Sequence, residues 1–137
     1  MPNPFVHAEL ATTNVPKARA FYTKLFAWKL TDLPTPTPGG AYTMIDVGEG
    51  TGGGIMQQCI PAAPSAWMPY VHVKDITAAT RRAKKLRAKI LKGVTEVPGM
   101  GWLSIIADPT GAMLGLWEPK LAARRRKAAR KGAGKRK

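Results

Sequence analysis

The feature that most constrains this chain is an approximate internal repeat: an offset of 61 residues lays the second half on the first. The offset superposes Asn14 on Asp75, Ala18 on Ala79, Lys24 on Lys85 and Leu25 on Leu86. Further along it superposes Gly54-Ile55-Met56-Gln57 on Gly115-Leu116-Trp117-Glu118, a small-aliphatic-large-polar pattern closing each half. Agreement at both ends of the halves points to an internal duplication.

The local signals repeat in the same order. Phe5 to Ala11 reads as a strand, and Asn14 offers a side-chain oxygen to cap a helix beginning at Val15 and Pro16. Ala18, Phe21, Tyr22, Leu25 and Phe26 recur at three- and four-residue spacing and predict the helix face that lies on a sheet. A Pro/Thr/Gly loop at 34–40 precedes expected strands over Ala41 to Val47 and Gly54 to Cys59. The second half predicts a strand over Met68 to Val73, a cap at Asp75 and a helix from Ile76 to about Lys89. Strands follow near Val94, over Trp102 to Ala107 and over Ala112 to Glu118.

On this pattern the octet Phe21-Tyr22-Thr23-Lys24-Leu25-Phe26-Ala27-Trp28 resembles the helix-one signature of vicinal-oxygen-chelate proteins, the superfamily of glyoxalases, bleomycin-resistance proteins and extradiol dioxygenases. Asp108-Pro109-Thr110-Gly111 resembles the last hairpin of that family. The resemblance runs from about Phe5 to Glu118 and implies an α+β fold of two βαβββ modules, 5–59 and 68–118, in one domain over 1–119. Their curved mixed sheets would form a shared cleft, with both helices outside.

Strand alternation assigns faces within that picture, because side chains two apart share a face. Val6, Ala8 and Leu10 are expected against helix one, and Val71 and Val73 against helix two. His7 and Glu9, with Met68, Tyr70 and His72, then face the cleft. Together with Met56 and Trp117 they form the expected ligand-binding set: imidazoles, a carboxylate and a phenol for direction, and thioethers and an indole for contact area. No residue is assigned a catalytic role.

In metal-dependent members of the family an ion sits between the modules, and the resemblance implies its four ligand places at His7, Gly54, Met68 and Gly115. An imidazole there suits Zn, Ni, Fe or Mn. Two glycines offer nothing, and a thioether suits softer metals. No metal or other cofactor is therefore expected. A displaced set of His7, Glu9 and His72 has the composition of a two-His, one-carboxylate site, but residues two apart on a strand project about 6–7 Å apart. Cys59, with no base at an identifiable spacing, reads as structural. The Gly-rich run 48–54 lacks the lysine and following helix of a phosphate-binding loop.

Of the 22 basic residues, ten lie between Lys120 and Lys137 without an acidic residue, and seven more (Arg81, Arg82, Lys84, Lys85, Arg87, Lys89 and Lys92) crowd the second helix and its flank. The segment 120–137 is an Ala/Lys/Arg/Gly tail with little to bury, and disorder is expected. Such charge suits non-specific contact with nucleic-acid phosphates, or solubility alone. A single cysteine, no secretory start and no run of about 20 apolar residues lead to the expectation of a soluble cytoplasmic protein with no membrane partner.

The function expected is binding of a small organic molecule in a metal-free cleft. The alternatives are a metal-dependent lyase or dioxygenase acting on vicinal oxygens, and tail-mediated nucleic-acid association. A homodimer is expected, since family members of this size commonly pair and open sheets leave edges to cover.

Overall fold

The computed structural model describes residues 2–33 and 41–120. Its elements run β1 (Phe5–Thr12), α1 (Val15–Leu25), β2 (Lys29–Asp32), β3 (Tyr42–Asp46) and β4 (Gly53–Gln57). The same order then recurs as β5 (Ala66–His72), α2 (Ile76–Lys85), β6 (Lys89–Val97), β7 (Gly101–Ala107) and β8 (Met113–Pro119). This is βαβββ twice, the expected α+β architecture. The two module sheets are continuous, forming one open eight-stranded mixed sheet in the order β2-β3-β4-β1-β5-β8-β7-β6.

The repeat holds at the level of register. In module one β1 runs parallel to β4 with Glu9 beside Gly54, and in module two β5 runs parallel to β8 with Tyr70 beside Gly115, each residue 61 positions on from its counterpart. The modules meet where β1 pairs antiparallel with β5, placing His7 opposite Tyr70 and Glu9 opposite Met68. That pairing joins the two modules edge to edge.

Both helices start as expected. The Asn14 side chain accepts a hydrogen bond from Lys17 N (3.0 Å) and that of Asp75 from Ala78 N (3.0 Å), caps worth about 1 kcal/mol each. The helices cover one face of the sheet. Leu10, Ile45 and Ile55 pack with Val15, Ala18 and Tyr22 of α1, and Val73, Ile106 and Leu116 pack with Ile76, Ala79 and Ala83 of α2. The opposite face carries a third cluster of Met68, Tyr70 and Ile105 and faces the cleft.

Four expectations require correction. The face of α1 that packs is the narrow stripe Val15, Ala18 and Tyr22, whereas Phe21, Leu25 and Phe26 are 57%, 55% and 44% exposed. Helix α2 stops at Lys85: the Leu86 amide still donates to Arg82 O (3.0 Å), but Leu86 takes ψ 15° and Arg87 turns left-handed at φ 76°, which releases Lys89 into β6. Val6 lies beside His7 on the cleft wall, since the β1–β5 register shifts between Phe5 and His7 and interrupts alternation there. The four-residue edge strand β2 was not expected; its Asp32 accepts from Arg19 (2.5 Å) and Thr43 (2.7 Å).

The Asp108-Pro109-Thr110-Gly111 turn joins β7 to β8. The Asp108 carboxylate accepts from the Thr110 hydroxyl (2.6 Å) and from the amides of Thr110 (2.7 Å) and Ala112 (3.1 Å), and Gly111 takes φ 98°. These bonds hold the Asp108 carboxyl below the ordinary aspartate range, the Thr110 hydroxyl most strongly. Lys120, counted with the tail from its charge, is tied to the domain: its amide donates to Met100 O (2.9 Å) and its ammonium pairs with Glu96. The rest of the expected disordered tail, 121–137, and the loop 34–40 lie outside the described residues. No helix among the described residues is long and apolar enough to cross a membrane.

Candidate functional site

The sheet face opposite the helices holds a cavity of about 180 Å³ to which both modules contribute. Its lining is mostly apolar: Met44 from β3, Met56 from β4, Leu103 from β7, Trp117 from β8, and Met100 from the β6–β7 turn. Polar groups come from His7 and Glu9 of β1, Tyr42 of β3, Tyr70 of β5, and Lys92 and Thr95 of β6.

Four of these form one hydrogen-bonded cluster. The Tyr70 hydroxyl donates to Glu9 Oε2 at 2.9 Å, and His7 Nε2 lies 2.6 Å from the Tyr42 hydroxyl, which also hydrogen-bonds Glu9. Glu9 is only 4% exposed, so its partners, not water, satisfy it. Burial pushes its pKa up, against the opposing pull of the two phenols and of the Lys92 charge. Burial also lowers His7 to about 4, which leaves the ring neutral at pH 7. The 3.9 Å approach of His7 Nε2 to Glu9 Oε1 is then a contact of a neutral ring with a carboxyl group and not an ion pair. Burial, and next the charge of Glu9, raise both phenols above the ordinary tyrosine range, so both keep their protons and serve as donors.

Of the seven residues expected at the cleft, His7, Glu9, Met56, Tyr70 and Trp117 line the cavity. Met68 and His72 do not. Met68, opposite Glu9 in the β1–β5 pair, is buried with Tyr70 and Ile105 beneath the wall. His72 ends β5, with its amide bonded to Pro4 O (2.9 Å) and its carbonyl accepting from the Asn3 side chain (2.8 Å). The set His7, Glu9 and His72 is accordingly not assembled, and no group of three or more His, Cys, Asp or Glu comes together among the described residues. Tyr42, Lys92, Met44, Met100 and Leu103 were missed. Alternation could have found Tyr42 and Met44, which sit two apart on β3 with Met44 opposite Gly54 in the ladder.

The four implied metal places can be tested against this geometry. They supply one imidazole, already engaged by Tyr42, and one thioether buried in packing. At Gly54 a Cβ would stand 1.8 Å from the Tyr42 hydroxyl oxygen, and at Gly115 a Cβ would stand 2.4 Å from the Tyr70 ring. The phenols occupy the room that ligating side chains at 54 and 115 would need. These residues do not fit the ion of the family's metal-dependent members.

The chain is similar to proteins of several activities. It is 32% identical over 114 residues to the Mycobacterium tuberculosis protein named "Putative glyoxylase CFP32", covering 80% of this chain and 43% of that protein. It is 25% identical over 122 residues to the anthracycline biosynthesis protein DnrV of Streptomyces peucetius, covering 80% and 44%. The chain thus spans less than half the length of the curated relatives it matches. Its fold is similar to that of methylmalonyl-CoA epimerase from Mycobacterium tuberculosis, with a TM-score of 0.61 at 16% identity over 87% of this chain and 91% of that one. The family model of the Glyoxalase/Bleomycin resistance protein/Dioxygenase superfamily matches residues 5–116, the span of the two modules from β1 into β8, and the chain belongs to that superfamily.

Proposed function

We propose that this chain binds a small organic molecule in its central cleft and does so without a resident metal ion. The observation that carries the reading is the pair of phenols beside Gly54 and Gly115, which fill the implied metal places while leaving a mostly apolar cavity with one buried polar cluster. Such a division suits recognition: apolar walls supply area and a few fixed polar groups supply direction. The test is elemental analysis of untagged protein together with a thermal-shift screen. About one tightly held divalent ion per chain, lost in His7→Ala, overturns the metal-free reading. Compounds that raise the melting temperature of the native protein and not of a Leu103→Trp variant, whose cavity is filled, support binding in the cleft.

A second reading, a metal-dependent lyase or dioxygenase, is favoured by the likeness to the protein named as a glyoxylase, and the same metal analysis separates the two. We further propose a homodimer, supported by the open sheet edges β2 and β6 and by the exposed Phe21, Leu25 and Phe26. Non-specific nucleic-acid association through the basic tail, aided by Arg81, Arg82, Lys84 and Lys85 of α2, is compatible with either reading.

A further inference from the structure

We propose that the folded domain carries a nucleic-acid surface of its own, in which the outward face of α2 and the turn into β6 lie along the phosphates of a double helix. The inference takes up the nucleic-acid association proposed above and goes beyond it, since it places contacts on the domain as well as on the tail.

Helix periodicity builds the surface. Ile76, Ala79 and Ala83 turn one stripe of α2 into the core, and Thr80 on the same stripe bonds Ser104 at 2.8 Å. With about 3.6 residues per turn, Arg81 and Lys85 stand opposite that stripe, and Arg82 and Lys84 flank them. Arg87 and Lys89 continue the cations past the helix end. All six are exposed, and none makes a salt bridge or a side-chain hydrogen bond among the described residues. The acids of module two are engaged elsewhere: Asp75 caps the first turn, Glu118 accepts from Ile76 N, Glu96 pairs with Lys120, and Asp108 accepts from its own turn.

The fold does not require these cations. Their counterparts 61 positions earlier are Ala20, Phe21, Thr23, Lys24, Phe26 and Trp28, so the same unit forms with Lys24 as the only charge. Cations in a last turn offset the carbonyl end of a helix, but Lys24 alone serves α1, and Arg81, Arg87 and Lys89 lie outside the last turn of α2. Arg87 is moreover held at φ 76°, a left-handed stop that glycine takes without strain. An arginine kept there against backbone preference points to a use for its charge.

The chemistry of the patch names the partner. Six unpaired cations side by side call for a polyanion. No aromatic residue occurs from Ile76 to Lys92, so the patch has no platform on which the bases of a single strand could stack. The apolar stripe of α2 is already packed on the sheet, and Leu86, 62% exposed, is the one large apolar side chain among the cations, too little to enter a bilayer. Contact through phosphates alone fits a duplex, which carries them on its outside. The cavity lies on the other face of the sheet, so a duplex on α2 leaves the cleft open.

The test titrates the full chain against a short DNA duplex by fluorescence anisotropy at several salt concentrations. A triple variant, Arg81→Gln, Lys85→Gln and Arg87→Gln, should bind at least about tenfold more weakly at about 0.1 M salt, with a log-log salt slope shallower by about 2. Lys17→Gln, Lys24→Gln and Lys29→Gln together remove as many exposed charges from module one and should cost about threefold or less. Arg87→Gly alone should weaken DNA binding while the melting temperature holds or rises, a combination that a purely structural arginine cannot give. Equal losses in the two triple variants would assign binding to net charge and overturn the surface. Tighter binding of a single strand of equal length, or loss of anionic-vesicle binding without loss of DNA binding in the α2 variant, overturns the duplex as partner. Loss on deleting 122–137 with none in the α2 variant overturns this inference and leaves the tail reading standing, and no binding by the native chain overturns both.

Discussion

Glu9 and Tyr70 occupy equivalent positions in the two modules, 61 residues apart, and hydrogen-bond to each other at 2.9 Å across the seam where the modules join. One position of the ancestral repeat has become a buried acid and its counterpart the phenol that satisfies it. Tyr70→Phe removes a donor from a carboxyl that water barely reaches. It should cost about 1–3 kcal/mol in urea unfolding, and Tyr70→Phe combined with Glu9→Gln less than the sum of the two single changes.

The glycines beside the phenols are needed for space. Gly54→Ala places a methyl 1.8 Å from the Tyr42 hydroxyl oxygen, a contact that forces the ring out of the cluster. The expected destabilisation is about 2 kcal/mol or more, falling to under about 1 kcal/mol in a Tyr42→Ala background, where the methyl has room. An equal cost in both backgrounds would show that the strain lies in the β4 backbone.

Acid should act on this cluster in two opposed ways. His7 binds its proton at about 4 when folded against an ordinary 6.5, so the unfolded chain takes up the proton first and stability falls as pH drops from about 6.5 to 4. Glu9, raised by burial, has the reverse sign: the folded chain keeps its proton longer, and stability falls as pH rises through its folded pKa. In Glu9→Gln the His7 contribution stands alone. Its unfolding free energy should fall by about 2–3 kcal/mol between pH 6.5 and 4. Adding His7→Phe should flatten that slope, as denaturant midpoints at several pH values would show.

Light scattering at micromolar concentration should give a dimer, and Phe21→Ser with Leu25→Ser should shift it to a monomer with an unchanged circular dichroism spectrum. A wild-type monomer refutes the dimer outright.

Deleting 122–137 removes nine basic residues from the chain. Thermal stability should be unchanged, and DNA affinity at about 0.1 M salt should fall at least about tenfold with a shallower salt slope. Retention of the full affinity and slope would transfer the binding to α2.

The fold was legible because duplication, capping and turn chemistry all act locally. Asn14, Asp75 and Asp108 bond to amides within four residues, so their types alone predict their geometry. Alternation carried His7, Glu9 and Tyr70 to the cleft correctly. It failed for Val6 at the register shift, and for α1 it could not tell which aromatic residues a short helix buries. Lys92 and Met100 reach the cleft only through the path of β6 and its turn, where two register shifts erase any two-residue pattern. Met68 shows a different limit: facing the cleft side is not the same as reaching its surface.

The two halves of the cavity are related by position and unlike in chemistry. Tyr42 of β3 has Leu103 of β7 as its counterpart, just as Glu9 has Tyr70, so equivalent places in the two halves carry different chemistry. A pocket lined alike on both sides would accept a guest in either of two reversed poses. Here a half-turn exchanges Tyr42 for Leu103 and Glu9 for Tyr70, so the two poses would meet different groups. Divergence of the repeats has thereby removed the two-fold equivalence that duplication built into the cavity.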